Sequence, residues 1–164
     1  MSKVADIGGG DGTLLLGLVR QVSHLEGIVF DLPDVVEIAR RNVTEAGLAS
    51  RVSCVGGSFF ESALPAADAY VLARILHDWN DEEAMQILRA VHTAAPKGAR
   101  LHVIDDVIAP GNGPQPAKIL DLQMLIVGGK ERTAEEWREL FDACGFSLVG
   151  VVPGVVARID AVAR

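Results

Sequence analysis

A glycine-rich stretch near the start of the chain constrains the fold most strongly. The apolar run Val4–Ile7 predicts a short buried strand, and the glycine cluster Gly8–Gly12 follows it directly. Thr13–Val22 is almost entirely apolar and predicts a helix packed on a sheet. This order forms a site for a polar ligand, because glycine adopts positive φ and lets a ligand approach backbone N–H groups.

The rest of the chain continues the alternation of strands and helices. Further strands are predicted at Gly27–Asp31, Arg51–Val55, Ala69–Leu72 and Arg100–Ile104, and the last two at Phe146–Val152 and Val155–Ala163. The short Pro153-Gly154 link predicts that the last two strands form an antiparallel hairpin. We therefore predict an α/β fold, a doubly wound three-layer sandwich whose mostly parallel sheet has an antiparallel edge. The 164 residues suit one domain.

Composition narrows the class of partner. The net charge of −7 argues against nucleic acid, which needs clustered Lys and Arg. No apolar run approaches the roughly 20 residues that span a bilayer, and no signal-peptide pattern precedes the first strand. Cys54 and Cys144 form no CxxC pair, which favours reduced thiols and a cytoplasmic location. We expect a small-molecule partner, no membrane and, since no ligand spacing occurs, no metal.

The glycine loop distinguishes between nucleotide cofactors. A dinucleotide fingerprint G-x-G-x-x-G starting at Gly8 would need glycine where Thr13 stands, which disfavours a nicotinamide-dependent oxidoreductase. The fit is instead to D-x-G-x-G-x-G, from Asp6 to Gly12. Asp31 ends the second predicted strand about 20 residues further on, where a carboxylate can bind both ribose hydroxyls.

The order of motifs resembles one family over essentially the whole chain. Residues 6–12 look like the first motif of class I S-adenosylmethionine-dependent methyltransferases. The stretches FDLP (30–33), GSFF (57–60), ILHDW (75–79) and GGKERT (128–133) match, in order, the small-molecule O-methyltransferases of the caffeate and polyketide-tailoring type. The resemblance implies methyl transfer to a hydroxyl of a small aromatic or polyketide-like molecule, and a seven-stranded sheet whose last strand is antiparallel.

The resemblance also implies the roles of particular residues. His77 would be the general base, with Asp105 and Glu131 as its carboxylate partners. An imidazole with a pKa near 6.5 suits removal of a phenol proton, and a carboxylate on its other nitrogen would fix the tautomer. The positions implied for S-adenosyl-L-methionine are Asp6, Gly8, Gly10, Asp31, Leu32, Ser58, Phe59, Phe60 and Ala73.

Three positions depart from the family pattern. Ser58 stands where Asp is usual, Ala73 where Lys is common, and Asp105 where Glu is usual. The first two changes predict weaker cofactor binding, and the third shortens the reach of the acid by one methylene.

Other candidate side chains are interpreted as structural. We expect His24, His92 and His102 to have no acid partner in a motif, and Asp78 to cap the following segment. Trp79 is expected to pack under the site, whereas Met124 suits either an acceptor pocket or the core equally well.

Relatives of this type carry an N-terminal helical domain that dimerises and covers the acceptor. We expect residues 1–164 to be the catalytic domain alone, without that domain, and monomeric or weakly associated. Two hypotheses remain open at this stage: an active methyltransferase, or a cofactor-binding fragment without catalysis of its own.

Overall fold

The computed structural model describes residues 2–111 and 113–164, apart from the side chains at 116, 125 and 127. The described strands are β1 (Lys3–Ile7), β2 (Glu26–Asp31), β3 (Val52–Gly56), β4 (Ala69–Ala73), β5 (Arg100–Asp105), β6 (Val107–Ile108), β7 (Arg132–Thr133), β8 (Phe146–Val152) and β9 (Ala157–Ala163). The helices are α1 (Thr13–Gln21), α2 (Pro33–Glu45), α3 (Asp81–Ala94), α4 (Pro116–Val127) and α5 (Ala134–Ala143). A 3₁₀ turn, Leu76–Asp78, precedes α3.

Seven strands form one sheet in the order β3-β2-β1-β4-β5-β9-β8. The neighbouring pairs from β3 to β5 are parallel, and β9 runs antiparallel to both β5 and β8. The predicted fold class is confirmed, including the terminal hairpin and the antiparallel last strand. One detail of the prediction was wrong: the edge strand is β8, which runs with the parallel strands, because β9 pairs with β5 and lies one place inward.

The core occupies both faces of the sheet because each central strand is buried on both sides. In β4, Tyr70 and Leu72 belong to one apolar cluster, whereas Ala69 and Val71 belong to the other. The first cluster contains the buried faces of α3 and α5, and the second contains those of α1 and α2. This is the alternation that a pleated strand imposes when helices cover both faces.

Helix ends follow the local sequence. Thr133 and Glu136, in a Thr-x-x-Glu spacing, form a capping box at the start of α5. A second capping box, Asn80 with Glu83, begins α3. The prediction that Asp78 caps this segment was therefore wrong: Asn80 accepts the helical N–H of Glu83 at 3.0 Å, and its extended backbone is the usual conformation at that position.

Sequence periodicity missed one small element. Strands β6 and β7 pair in parallel at Val107↔Arg132 and Ile108↔Thr133. Two residues per strand are too few to produce a pattern along the chain. The pairing matters because it brings the segment before α5 next to the segment after β5, at the carboxyl edge of the sheet.

No described helix, within residues 2–111 and 113–164, combines the length and apolar character needed to cross a membrane.

Candidate active site

The glycine loop is held against the end of β2. The N–H groups of Gly8 and Gly9 donate to the carbonyl of Phe30 at 2.8 and 3.2 Å. The Asp31 carboxylate accepts from the N–H of Gly10 at 2.8 Å and from the N–H of Leu32 at 2.7 Å. Asp31 therefore fixes the loop conformation, and each of its oxygens keeps a lone pair for a further donor.

Two of these glycines are required by geometry. Gly8 has φ +73°, and a Cβ built on it would lie 2.4 Å from Cδ1 of Ile75. Gly10 has φ +57°, but a Cβ there would meet no atom within 4 Å. The open space above Gly10 is consistent with a ligand that approaches the loop backbone closely.

A cavity of about 250 Å³ opens beside this loop. Its walls are Gly8, Asp31, Leu32, Gly57, Ser58, Phe59, Phe60, Ile75, Asp78 and Trp79. The rings of Phe60 and Trp79 meet edge to face with centroids 4.9 Å apart, and Phe59 lies 5.8 Å from Trp79 in the same manner. An aromatic wall opposite a carboxylate suits a ligand with an apolar ring and a polar sugar.

The structure brings together six of the nine predicted cofactor positions. Gly8, Asp31, Leu32, Ser58, Phe59 and Phe60 line the cavity. The other three predicted positions, Asp6, Gly10 and Ala73, are not among its lining residues. The Ser58 hydroxyl accepts from the N–H of Phe60 at 3.2 Å, so part of its hydrogen-bonding capacity is used within the turn.

Asp6 lies beneath the glycine loop and is 2% exposed. Its carboxylate would lie 3.0 Å from a Cβ built on Gly9. Burial, and secondarily the negative charge of Asp31, raises the pKa of Asp6 to about 7. A buried carboxyl with this pKa can hold or release a proton near neutral pH when a charged ligand enters the loop.

The second cluster is centred on His77, which lies in the 3₁₀ turn after β4. Its Nδ1 donates to Oε1 of Glu131 at 2.8 Å, and Oδ1 of Asp105 lies 3.8 Å from the same nitrogen. On the other side of the ring, Nε2 lies 3.5 Å from Oδ1 of Asp78. His77, Asp105 and Glu131 are all buried, so the structure brings together the three predicted catalytic residues.

The two carboxylates of this cluster differ in how they are paired. Glu131 bonds to His77 and its N–H donates to Oδ1 of Asp121 on α4 at 2.8 Å. Neither oxygen of Asp105 has a hydrogen-bond partner within the described part of the chain. The hydrogen bond to Glu131 therefore places the proton of His77 on Nδ1, whereas Asp105 acts on the ring through its charge when it is ionised.

The pKa values in the cluster are shifted by competing effects. Burial by itself lowers the pKa of His77, but the hydrogen bond to Glu131 and the charges of Asp105, Glu131 and Asp78 together raise it above its ordinary value. Burial raises the pKa of Asp105 to about 7. The positive charge of protonated His77 opposes this increase, whereas the negative charge of Glu131 adds to it. Shifted titrations of neighbouring groups are typical of sites that transfer protons.

Three possible metal-ligand atoms, from His77, Asp105 and Glu131, lie within 4.8 Å of one another. The three residues come from separate segments, and the structure brings together the grouping that the family resemblance implies. The 2.8 Å contact of His77 with Glu131 is a hydrogen-bonded pair. The chemistry that this arrangement supports is base catalysis by an oriented imidazole.

Several site features were not predicted from the sequence. Ile75, for which no role was predicted, packs against the glycine loop. Trp79, which was expected to pack under the site, forms a wall of the cavity. Arg74, at φ +58°, forms an ion pair with Asp106 at 2.7 Å. Arg132 is fully buried beside the His77 turn, a place that hydrophobic patterning does not predict for a charged residue.

The remaining candidates lie outside this cluster. His102, interpreted as structural because no sequence motif gives it an acid partner, has its Nδ1 2.7 Å from Oδ1 of Asp160 across the β5–β9 pair. His92 packs edge to face on Phe146. Met124 is half-buried on α4.

Fold and site together define a class of protein. An α/β domain places a glycine loop, a ribose-type carboxylate and an aromatic wall beside a carboxylate-oriented histidine, all at the carboxyl edge of the sheet. That arrangement suits a transferase domain that holds a nucleoside cofactor next to a general base.

Comparison with known proteins specifies the family. Residues 1–147 match the family model of the O-methyltransferase domain, and the chain belongs to this family. It is 41% identical over 151 residues to phenazine O-methyltransferase PhzM of Lysobacter antibioticus, covering 92% of this chain and 44% of that protein. It is 40% identical over 163 residues to acetylserotonin O-methyltransferase of Bos taurus, covering 94% of this chain and 47% of the relative.

Solved structures agree with this assignment. NcsB1, an O-methyltransferase from neocarzinostatin biosynthesis crystallised with S-adenosylmethionine and 2-hydroxy-5-methyl naphthoic acid, superposes with a TM-score of 0.90 at 38% identity. The match covers 99% of this chain and 49% of NcsB1. The chain thus spans about half the length of the relatives it matches.

Proposed function

We propose that this chain carries the catalytic site of an S-adenosylmethionine-dependent O-methyltransferase that acts on a hydroxyl of a small aromatic molecule. The observation that carries the proposal is the His77–Glu131 hydrogen bond of 2.8 Å, since the chain neighbours Asp78 and Trp79 of His77 line the cavity. It leaves Nε2 of His77 as the basic nitrogen, on the side of Asp78, which lines that cavity.

The cavity residues fit the proposed cofactor. Asp31 would accept hydrogen bonds from the ribose hydroxyls through its remaining lone pairs. The aromatic rings of Phe59, Phe60 and Trp79 would surround the adenine. Gly8 and Gly10 would let the methionine portion approach the loop backbone. When bound, S-adenosylmethionine supplies a methyl group on a positively charged sulfur.

His77 would remove the proton of the acceptor hydroxyl. A phenol has a pKa of about 10, so at neutral pH it is mostly protonated and must lose its proton as its oxygen attacks. His77 would accept that proton at Nε2, while Glu131 on Nδ1 and the nearby Asp105 would stabilise the imidazolium.

The acceptor class is argued from chemistry and from relatives. PhzM is named for a phenazine, the Bos taurus relative for acetylserotonin, and NcsB1 holds a hydroxylated naphthoic acid. Each of these contains a flat aromatic ring system. We therefore propose a hydroxylated aromatic acceptor of similar size.

Methyl transfer with a labelled cofactor tests the proposal. The purified chain, incubated with methyl-labelled S-adenosylmethionine and a panel of hydroxylated naphthoates, phenazines and indoles, should label at least one acceptor. His77→Ala should lower that rate by about 10²- to 10⁴-fold, the usual contribution of a general base. Binding of S-adenosylhomocysteine, measured by calorimetry, should stay within about twofold of wild type because His77 does not line the cavity.

Asp31→Ala provides the matched contrast, because it should abolish cofactor binding and transfer together. Transfer that persists unchanged in His77→Ala would contradict the proposed base. Absence of any saturable response to the cofactor at millimolar concentration would contradict the proposal as a whole.

Two observations support a second candidate function, a cofactor-binding unit that does not catalyse by itself. The chain spans about half of its relatives, and α4 exposes Ile119, Leu122 and Ile126 beside the site. In that case the cofactor would bind with no transfer to any acceptor. Transfer that is lost in His77→Ala would refute this alternative.

A further inference from the structure

The segment that carries His77 is held by a single buried guanidinium. We define the His77 turn as residues 76–79. Arg132 is 0% exposed, and its Nη1 donates to the carbonyl of Leu76 at 2.8 Å. Its Nη2 donates to the carbonyl of Trp79 at 3.0 Å, and its Nε donates to Oδ1 of Asp81 at 2.9 Å. Arg132 therefore binds the chain on both sides of His77.

The residues that precede Arg132 bind the same turn. The N–H of Lys130 donates to the carbonyl of His77 at 2.9 Å, and Glu131 accepts from the imidazole. A Cβ built on Gly129 would lie 2.1 Å from the carbonyl oxygen of His77, so the close approach requires glycine. Residues 129–132 thus contact the turn through backbone, carboxylate and guanidinium groups in succession.

The His77 turn carries two side chains of the site, one in the carboxylate cluster and one at the cofactor cavity. The imidazole of His77 points into the carboxylate cluster, and the indole of Trp79 packs on Phe59 and Phe60 at the cofactor cavity. Only Asp78 separates the two residues in the chain. Any rotation of the turn would therefore displace the base and the cavity wall together.

We propose that Arg132 is a positioning residue that fixes the His77 turn, so that the general base and the Trp79 wall of the cofactor cavity keep one relative geometry. The proposal rests on the proposed function. Arg132 does not line the cavity, and in the described part of the chain it makes no hydrogen bond to the side chains of the carboxylate cluster. It acts through the carbonyls of Leu76 and Trp79, while its charge also counters the rise that burial causes in the pKa of Asp105.

The chemistry of arginine explains why this residue type suits the position. A guanidinium is planar and offers five donors in a fixed arrangement, so it can satisfy two carbonyls and a carboxylate at once. Its charge is compensated by Asp81, which also binds Nζ of Lys130 at 3.2 Å. The guanidinium additionally lies 5.4 Å from the ring centre of Trp137. A lysine would keep the charge but lose the planar fork.

Arg132→Lys and Arg132→Met, compared with Arg51→Lys, test the proposal. Arg51 is a matched control because its guanidinium likewise donates to backbone carbonyls, those of Val19, Val22 and Ser23, at the opposite end of the sheet. The probes are the affinity for S-adenosylhomocysteine, measured by calorimetry, and the pKa of His77, measured by NMR of isotope-labelled histidine. The His77 resonance is assigned by its loss in His77→Gln.

Arg132→Lys should weaken S-adenosylhomocysteine about tenfold, equivalent to about 1.4 kcal/mol. It should also lower the pKa of His77 by about half a unit or more, because the hydrogen bond to Glu131 that raises this pKa loosens. Arg51→Lys should change the affinity by less than about twofold and leave the pKa unchanged. Asp81 is the exposed carboxylate that binds Nε of Arg132. Asp81→Asn should therefore produce smaller changes of affinity and of the His77 pKa in the same direction, and it provides the test if the Arg132 variants do not fold.

Three outcomes would overturn the proposal. They are wild-type affinity and His77 pKa in Arg132→Lys, equal changes in Arg51→Lys, and a His77 pKa that rises in Arg132→Met but stays constant in Arg132→Lys. The last would mean that Arg132 acts through its charge. Neither probe needs a methyl acceptor. A wild-type chain that binds S-adenosylhomocysteine but transfers no methyl would overturn the proposed activity and leave the positioning result intact.

Discussion

His77 shows how neighbouring groups adjust one imidazole. Burial favours the neutral ring, whereas Glu131, Asp105 and Asp78 favour the charged ring, and the balance raises the pKa of His77. A base with a raised pKa accepts a proton more strongly, but less of it is in the neutral form at pH 7. The pH at which the site operates is therefore set by these carboxylates.

The pH profile of methyl transfer follows from this balance. Because only neutral His77 can accept a proton, kcat/KM should rise with pH through a midpoint above 6.5. Glu131→Gln removes the charge and the acceptor that raise the pKa, so the midpoint should move to lower pH. The rate on its plateau should fall by about 10- to 100-fold as the tautomer is no longer fixed. Initial rates between pH 5.5 and 9 measure both effects.

Asp160→Asn is the control for this profile, since it alters a second histidine–carboxylate pair, His102–Asp160, away from the site. Its midpoint should equal that of wild type. An unchanged midpoint in Glu131→Gln would contradict the assignment of the titrating group.

Asp105 and Ser58, two of the positions that depart from the family pattern, differ in how their surroundings affect them. Asp105 is 0% exposed, and neither of its oxygens is hydrogen-bonded to a described residue. A buried carboxylate in this state costs free energy when it is ionised, which is why its pKa is raised to about 7. Ser58 remains a short neutral side chain at the cavity wall.

At the scale of elements, the start of α3 links stability to the site. Asn80 accepts from the N–H of Glu83 at 3.0 Å, and the Glu83 side chain completes the capping box. The next residue, Asp81, binds Arg132. The cap therefore sets where α3 begins and where the His77 turn ends.

Removing this cap should destabilise the chain by a moderate amount. Asn80→Ala should lower the free energy of unfolding by about 1 kcal/mol, because the N–H of Glu83 loses its acceptor. Asn80→Gly should cost only a few tenths of a kcal/mol, since glycine leaves these N–H groups accessible to water. Urea unfolding monitored by circular dichroism measures both. Equal losses for the two substitutions would contradict a capping role.

At the scale of the whole molecule, buried acids make stability depend on pH. In the folded chain Asp6 and Asp105 keep their protons up to about pH 7, whereas in the unfolded chain they release them near pH 4. The folded state therefore binds more protons between these values, and stability falls as the pH rises through this window. His77 has the same sign: its stabilising contribution is complete below about 6.5 and is lost as the pH rises through its raised pKa.

The cofactor-free chain should accordingly be more stable at pH 5 than at pH 8, by a difference on the order of a few kcal/mol. Asp105→Asn should reduce this difference because it removes one of the buried acids. Asp68→Asn should leave it unchanged, since the pKa of Asp68 is lowered to about 2 by hydrogen bonds from Ser2 and Lys3 and titrates below this window. Urea unfolding at several pH values measures the trend, and a stability that increases from pH 5 to pH 8 would contradict it.

The association state is a further property of the whole molecule. We expect the chain as given to be monomeric at micromolar concentration. Ile119, Leu122 and Ile126 are the exposed large apolar side chains described on α4, whereas a stable interface buries roughly 800 Å² per partner. Light scattering measures the mass, and a stable dimer would contradict this expectation.

The sequence by itself determined the fold class and the order of the main helices and strands, and through the family resemblance it proposed the site residues. Local patterns were sufficient because a strand followed by Gly8–Gly12 and a helix, and the Thr133–Glu136 capping box, are encoded by residues a few positions apart. The family motifs then identified His77, Asp105 and Glu131, and the tertiary structure places them together.

Only the tertiary structure decided how these residues act on one another. Contacts between distant segments determine three features of the fold. They are the pairing of β6 with β7, the position of β9 between β5 and β8, and the burial of Arg132 under the His77 turn. The pKa of His77 likewise depends on burial and on three carboxylates that only folding brings close. Such effects depend on distance in space, and the spacing of residues along a chain does not determine them.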